Sequence, residues 1–261
     1  MFTNRKNKVS FLTYEVKNNL RLIGVLLFVF SFLFLLYAVS NYNGIYYYGQ
    51  SYCLADAYVW FLKPRAYGIL VMPFILILFT NFTKNDQLTN VLIRLETGRN
   101  WLRRKLIKGV FLSFVVTLIS MIIVTFISSF QVKEVINWNS KFSIYYAITD
   151  NLNGDVQINE VIVLAFITMF IRNLYICLAA IVLKMKLHND LLTFLLIAII
   201  SVFEVVQKKV PLFYRFINMD YFLWEDSRVP ILYFSYTVIM AFIFALIMYK
   251  AIKKGEWVYE R

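Results

Sequence analysis

Arg172 stands inside a long apolar run, "ITMFIRNLYICL", and is followed at once by Asn173. A charge at the centre of a membrane helix costs about 2.5–3.5 kcal/mol on insertion scales, so such a residue must face other helices or water. Two roles are open to the pair on sequence alone: lining a translocation path or an interface between chains, or anchoring one helix to another by hydrogen bonds. Glu204 is the tempting acidic partner. It lies toward the far end of its own apolar run, about two turns away in depth at ~1.5 Å per residue, and is not expected to pair with Arg172.

Other chemistry is thin. His188 is the single histidine, in "KMKLHND", and one imidazole without clustered acids or thiols makes no metal site. Cys53 and Cys177 fall in a connection and in an apolar run, where free Cys serves as a small apolar residue. A membrane-embedded protease or acyltransferase would need a His, paired acids or a Ser-based site in or beside the apolar runs. The acids nearest those runs, Glu160, Asp190 and Glu204, all sit at their ends, so no such enzyme is expected. No GxxxxGK[ST] loop is present, and the Lys-Gly order at 108–109 is wrong for cradling phosphate.

The elements that must position these residues follow from composition. The chain of 261 residues is 61% hydrophobic and carries 27 Lys and Arg against 15 Asp and Glu, a net charge of +12. Its mean hydropathy is +0.66. In a soluble protein such a basic excess would suggest nucleic acid. In a membrane protein it marks cytoplasmic connections and contact with anionic lipid, so no nucleic-acid partner is expected.

Apolar runs of about 17 to 25 residues are long enough to span a bilayer. Six occur, at roughly 22–40, 66–83, 109–130, 161–183, 190–206 and 229–250, which predicts an all-α, polytopic membrane protein formed as a single domain over 1–261. The run after "MFTNRKNKVSFLTYEVKNNLR" is too long for a cleavable signal and has no small-residue cleavage site, so it is expected to stay as an anchor. Lys and Arg gather in the N-terminal segment, the second and fourth connections and the tail, eighteen residues against eight in the other connections. By the positive-inside rule both termini lie in the cytoplasm.

The connections differ in kind. The first, "NYNGIYYYGQSYCLADAYVWFLKPR", is crowded with aromatic residues of the type that sit at headgroup level. The third, 131–160, is long enough for a small external cap, with a turn signal at Asn153-Gly154. The fifth, 207–228, alternates bulky apolar groups with charge between two prolines and reads as an external segment, either re-entrant or an ordinary surface loop.

The second connection, 84–108, has the most structure. Asn85 or Asp86 can cap a helix in which Leu88, Val91, Leu92 and Leu95 recur at spacings of three and four, with Arg94 and Glu96 off that stripe. Thr97-Gly98 ends it. Asn100 then caps a second helix carrying Arg103, Arg104, Lys105 and Lys108 into the third span. With Arg99 these form a basic collar, expected at the membrane surface, where each such charge contributes roughly 1 kcal/mol of attraction to anionic headgroups and helps set topology. A cytoplasmic helix with an exposed apolar face needs lipid or protein to cover it. The N-terminal segment, 1–21, repeats the theme: after Ser10, Leu12, Val16, Leu20 and Ile23 form a stripe, predicting an interfacial helix.

This order of elements resembles the permease subunits of bacterial ABC exporters of the type-two class, which have six spans, an N-terminal interfacial helix and a cytoplasmic coupling helix between spans two and three. Asp86, Thr89, Val91 with Leu92, Gly98 with Arg99, Trp101 and Lys105 occupy places comparable to that family's coupling segment, and "YEVKNNLR" is similar to its N-terminal helix. Asp86 is followed by Gln87-Leu88-Thr89 where the family usually has Gly-Thr. Among these permeases the chain looks most like those that move peptides, in toxin export or bacteriocin self-immunity.

The resemblance implies that the nucleotide chemistry, ATP with Mg, belongs to a separate ATPase dimer gripping the helix around Asp86, Leu88, Thr89, Val91, Leu92, Arg94, Leu95 and Glu96. It also implies a second permease chain, the same or related, a hydrophobic or amphipathic peptide substrate, and a bacterial cell membrane. A stand-alone membrane immunity or sensor protein is the alternative, keeping the spans without needing a coupling helix.

Overall fold

Long apolar runs with no internal break form helices, because only a helix satisfies its own backbone where water is scarce. The structure, a computed structural model, describes residues 17, 20–47, 49–84, 98–187, 189–207, 218–225 and 228–253. Among them are eight α-helices: α1 (Leu20–Tyr47), α2 (Leu54–Phe61), α3 (Pro64–Lys84), α4 (Gly98–Ser129), α5 (Ile144–Thr149), α6 (Ile158–Leu187), α7 (Asp190–Gln207) and α8 (Arg228–Lys253), with a 3-10 turn at Tyr221–Trp224. No strand occurs among the described residues beyond an isolated bridge between Ser51 and Ser143.

Four helices are long and apolar enough to cross a membrane: Leu20–Ser40, Pro64–Lys84, Arg99–Ser129 and Ile158–Leu187. They match the first four expected spans. The other two fall on α7 and α8, both packed against α6, but the described apolar stretch of α8, Ser235–Ala251, is shorter than a full span.

Helix α6 is the hub, in contact with α2, α3, α4, α7 and α8. Small residues let α4 come close to it. A Cβ added to Gly109 would lie 3.3 Å from the Cys177 Cβ and 3.6 Å from the Phe79 ring, so this glycine marks a close approach of three helices. Ser113, Thr117 and Ser120 continue the same buried face of α4. Its opposite face exposes Val110, Phe114, Leu118, Ile122 and Phe126, an apolar stripe of the kind that suits lipid. Helix α1 is the most peripheral of the four. It buries Phe30, Phe34 and Ala38 at spacings of four, with Phe30 stacked on Phe74 of α3 at 5.2 Å and Phe34 edge-on to Phe61 of α2 at 5.0 Å.

Two expectations change. The first connection is not an aromatic loop throughout: α1 continues to Tyr47, and residues of "LADAYVWF" form the buried helix α2. Helix α4 starts at Gly98, so Asn100 lies within its first turn and does not cap it. Asn189 does cap α7, accepting from the backbone N–H of Leu191 at 2.8 Å and of Leu192 at 3.2 Å. The N-terminal segment up to residue 16, the stretch 85–97 and His188 lie outside the described residues.

Candidate functional site

Helix α2 is short, yet Ala55, Asp56, Ala57, Tyr58, Val59 and Phe61 are all buried. What holds it is a polar knot at each end.

At its N-terminal end the Asp56 carboxylate is fully buried. Its Oδ2 accepts from the Cys53 backbone N–H at 3.0 Å and from the Cys53 thiol at 3.1 Å. Its Oδ1 accepts from the Trp138 indole at 2.9 Å and from the Tyr221 hydroxyl at 3.1 Å. One carboxylate thus ties together the first, third and fifth connections. Four donors are what a buried carboxylate needs in place of its lost hydration. Burial still pushes its carboxyl above the usual range, the donors pulling the other way. Burial also pushes the Cys53 thiol up, with Asp56 adding to it.

The third connection completes the cap. The N-terminal amides of α2, which have no partner inside the helix, donate from Leu54 to the Glu134 carbonyl and from Ala55 to the Val135 carbonyl, each at 3.1 Å. The Trp138 ring stacks on Tyr145 at 4.8 Å and meets Trp224 edge-on at 4.8 Å.

At the C-terminal end, the chain breaks between α2 and α3 at Leu62-Lys63, ahead of Pro64, which lacks an N–H and so suits the first position of α3. Arg172, fully buried on α6, donates from Nη1 to the Leu62 carbonyl at 2.5 Å and from Nη2 to the Asn218 side chain at 3.0 Å. Its guanidinium carbon lies 5.1 Å from the centre of the Tyr67 ring. Asn173 works beside it: its Nδ2 donates to Thr117 of α4 at 3.0 Å, and its Oδ1 accepts from the Tyr67 hydroxyl of α3 at 2.5 Å. The pair expected to face other helices therefore joins α3, α4 and α6 and fastens the end of α2.

The basic collar divides. Arg99 and Arg103 are exposed and Arg104 half-buried, whereas Lys105 and Lys108 are buried, which departs from the expectation that all five face the membrane surface. Lys105 Nζ lies over the Trp101 ring at 3.9 Å. Lys108 Nζ donates to the Phe82 carbonyl near the C-terminus of α3, where carbonyls lack helical partners and the helix dipole favours a cation. A cation counted for topology thus also closes a helix end. At the same end of the bundle Lys184 pairs with Asp190 at 2.5 Å across the turn from α6 to α7.

The residues expected to couple to an ATPase, Asp86, Leu88, Thr89, Val91, Leu92, Arg94, Leu95 and Glu96, fall outside the described residues. Their flanks, Lys84 ending α3 and Gly98 opening α4, lie on two helices that pack together. Sequence reading missed the Asp56 knot. Its one local signal was an acid three residues after Cys53 at the head of a short apolar run, a capping arrangement. A groove of about 470 Å³ lies at the start of α6, lined by Asn159, Glu160, Val163, Leu164, Ile167 and Trp224, the last of which meets Trp138 of the Asp56 knot. No family model, no curated protein and no solved structure matches this chain.

Proposed function

We propose that the chain is the membrane-spanning permease subunit of an ATP-driven ABC exporter of the type-two class, crossing a bacterial cell membrane six times with both termini in the cytoplasm. What carries the reading is the sequence pattern of the second connection: Leu88, Val91, Leu92 and Leu95 at helical spacing, ahead of a glycine and a run of basic residues, between two helices that pack together. Topology requires charge at that place but no amphipathic turn, and an exposed apolar face calls for a covering partner.

In this reading two ATPase subunits hold that helix in each of two permease chains, identical or related. ATP binding and hydrolysis, which this chain has no phosphate loop to perform, move the helix, and the spans rock between access states. A hydrophobic or amphipathic peptide, a toxin for export or a bacteriocin to be expelled, passes between the chains. Arg172 and Asn173 belong to the rigid part, because their side chains are engaged within one chain. The test is purification of the full chain with its native co-expressed partners: an ATP-hydrolysing subunit copurifies, and Leu92→Asp or Arg94→Glu weakens that association or abolishes transport. Transport that survives both substitutions with the ATPase fully bound would refute the coupling role.

A further inference from the structure

The groove at the start of α6 has fixed walls. Trp224 closes one side; its ring is held edge-on by Trp138, which stacks on Tyr145 and donates to the buried Asp56 carboxylate. The turn that carries Trp224 is tied to the third connection a second time, the Asn151 amide donating to the Glu225 carboxylate at 2.9 Å. The other side is α6 itself, where Val163 and Ile167, one turn apart, are 57% and 46% exposed, with Leu164 beside them.

That apolar wall belongs to the surface turned to lipid. Next to Ile167 on α6, the Phe166 ring meets Phe114 at 5.8 Å, and Phe114 is part of the exposed apolar stripe of α4. The mouth is of another kind. Asn159 and Glu160, a turn earlier on α6, are exposed and stand just before the apolar run that begins near 161. The groove therefore runs from a polar rim at headgroup level into the hydrocarbon layer, with an indole at the boundary where tryptophan settles. Gly109, early in α4, meets Cys177, late in α6, so the start of α6 lies at the end of the bundle away from the basic collar. The one charged residue that lines the groove is an acid.

We propose that this groove binds one phospholipid with a primary-amine headgroup, of the phosphatidylethanolamine class, in the leaflet opposite the basic collar. The ammonium sits between the Glu160 carboxylate and the Trp224 ring, where a cation gains an ion pair and a π face together. The Asn159 side chain supplies an amide donor for the headgroup phosphate, and an acyl chain lies along Val163, Leu164 and Ile167. A headgroup that carries negative charge and no amine meets Glu160 as a like charge. The occupant is a lipid because the apolar wall opens on the bilayer and the polar rim stands at the depth of its headgroups. The two ends of the bundle then select opposite headgroup chemistry, the collar anionic lipid and the groove an amine. The site needs only that the chain spans a membrane, and it stands or falls separately from the transport reading.

The experiment titrates the purified full chain, in mild detergent, with synthetic phosphatidylethanolamine, its N-acetylated derivative and phosphatidylglycerol, all with the same acyl chains. Native mass spectrometry counts the bound lipids and gives an apparent Kd for each. The first phosphatidylethanolamine binds about fivefold more tightly than either of the others, the upper end for one exposed ion pair. Glu160→Gln removes that preference, and Val163→Trp, which fills the groove from its exposed edge, removes the tighter site. Both positions are exposed, so the melting temperature of each variant stays at the wild-type value. Equal affinity for the three lipids, or a preference that survives both substitutions, would overturn the site. A synthetic cationic amphipathic peptide that binds through Glu160 and Val163, with no preference among the lipids, would give the groove to a peptide and overturn the lipid.

Discussion

The Arg172 guanidinium donates to the carbonyl of Leu62, a residue 110 positions earlier in the chain. That carbonyl lies at the break between α2 and α3, where Pro64 interrupts the ladder of backbone hydrogen bonds. A buried cation is tolerable when it supplies what a broken helix lacks, and each explains the other. Replacing Arg172 by Met should leave a buried acceptor unmet and lower stability by about 1–3 kcal/mol. Thermal unfolding of the purified chain measures this, and Arg172→Lys should recover only part of the loss.

Asp56→Asn keeps the size of the side chain but turns one acceptor atom into a donor. The amide oxygen can still receive Trp138 and Tyr221, so the amide nitrogen must face the Cys53 N–H and thiol. An unsatisfied buried donor costs about 1–3 kcal/mol. Tyr221→Phe, which removes one neutral hydrogen bond, should cost about 1 kcal/mol by the same reckoning. Melting curves of the two variants should fall in that order.

The same carboxyl gives a pH signature. Its folded pKa is raised, burial outweighing its donors. An acid raised on folding binds its proton more readily in the folded state. Its contribution is therefore most favourable below the unfolded value near ~3.9 and declines as pH rises through the folded value. The difference in melting temperature between wild type and Asp56→Asn should accordingly shift toward the wild type as pH falls from neutral toward about 4. A difference independent of pH contradicts the assignment.

Gly109 tests the crossing of α4 and α6. Its virtual Cβ lies 3.3 Å from the Cys177 Cβ, a distance a small readjustment relieves. Gly109→Ala should be tolerated with a small loss, whereas Gly109→Leu overfills the contact and should cost about 1–3 kcal/mol or more. Yield of folded, monodisperse protein from membranes separates the two.

How far the sequence could be read depends on the kind of force involved. The first four spans were legible because hydropathy is additive along the chain and needs no partner. Arg172 was legible as an anomaly, a charge where charge is costly, but Leu62 and Asn218 were not, since nothing in either residue type announces the contact. Asp56 was hidden among the aromatic residues of the first connection, and its donors Trp138 and Tyr221 lie 82 and 165 positions away. Helix α2 was missed because seven apolar and aromatic residues around one acid, beside tyrosines, read equally well as a headgroup-level loop. Lys105 and Lys108 show the limit of charge counting: the positive-inside rule weighs every cation alike, while packing sends these two into the bundle.

The central claim, a proposal, is that the sequence stripe Leu88, Val91, Leu92 and Leu95 ahead of Gly98 is a handle for an ATP-driven partner. Affinity purification of the full chain from its native membrane, with and without Leu92→Asp, tests it most directly. The account predicts that an ATPase subunit accompanies the wild type and that nucleotide-dependent transport fails in the variant while the chain itself stays folded. A chain that purifies alone and keeps its full activity, or one whose transport is untouched by Leu92→Asp with the ATPase still bound, contradicts it.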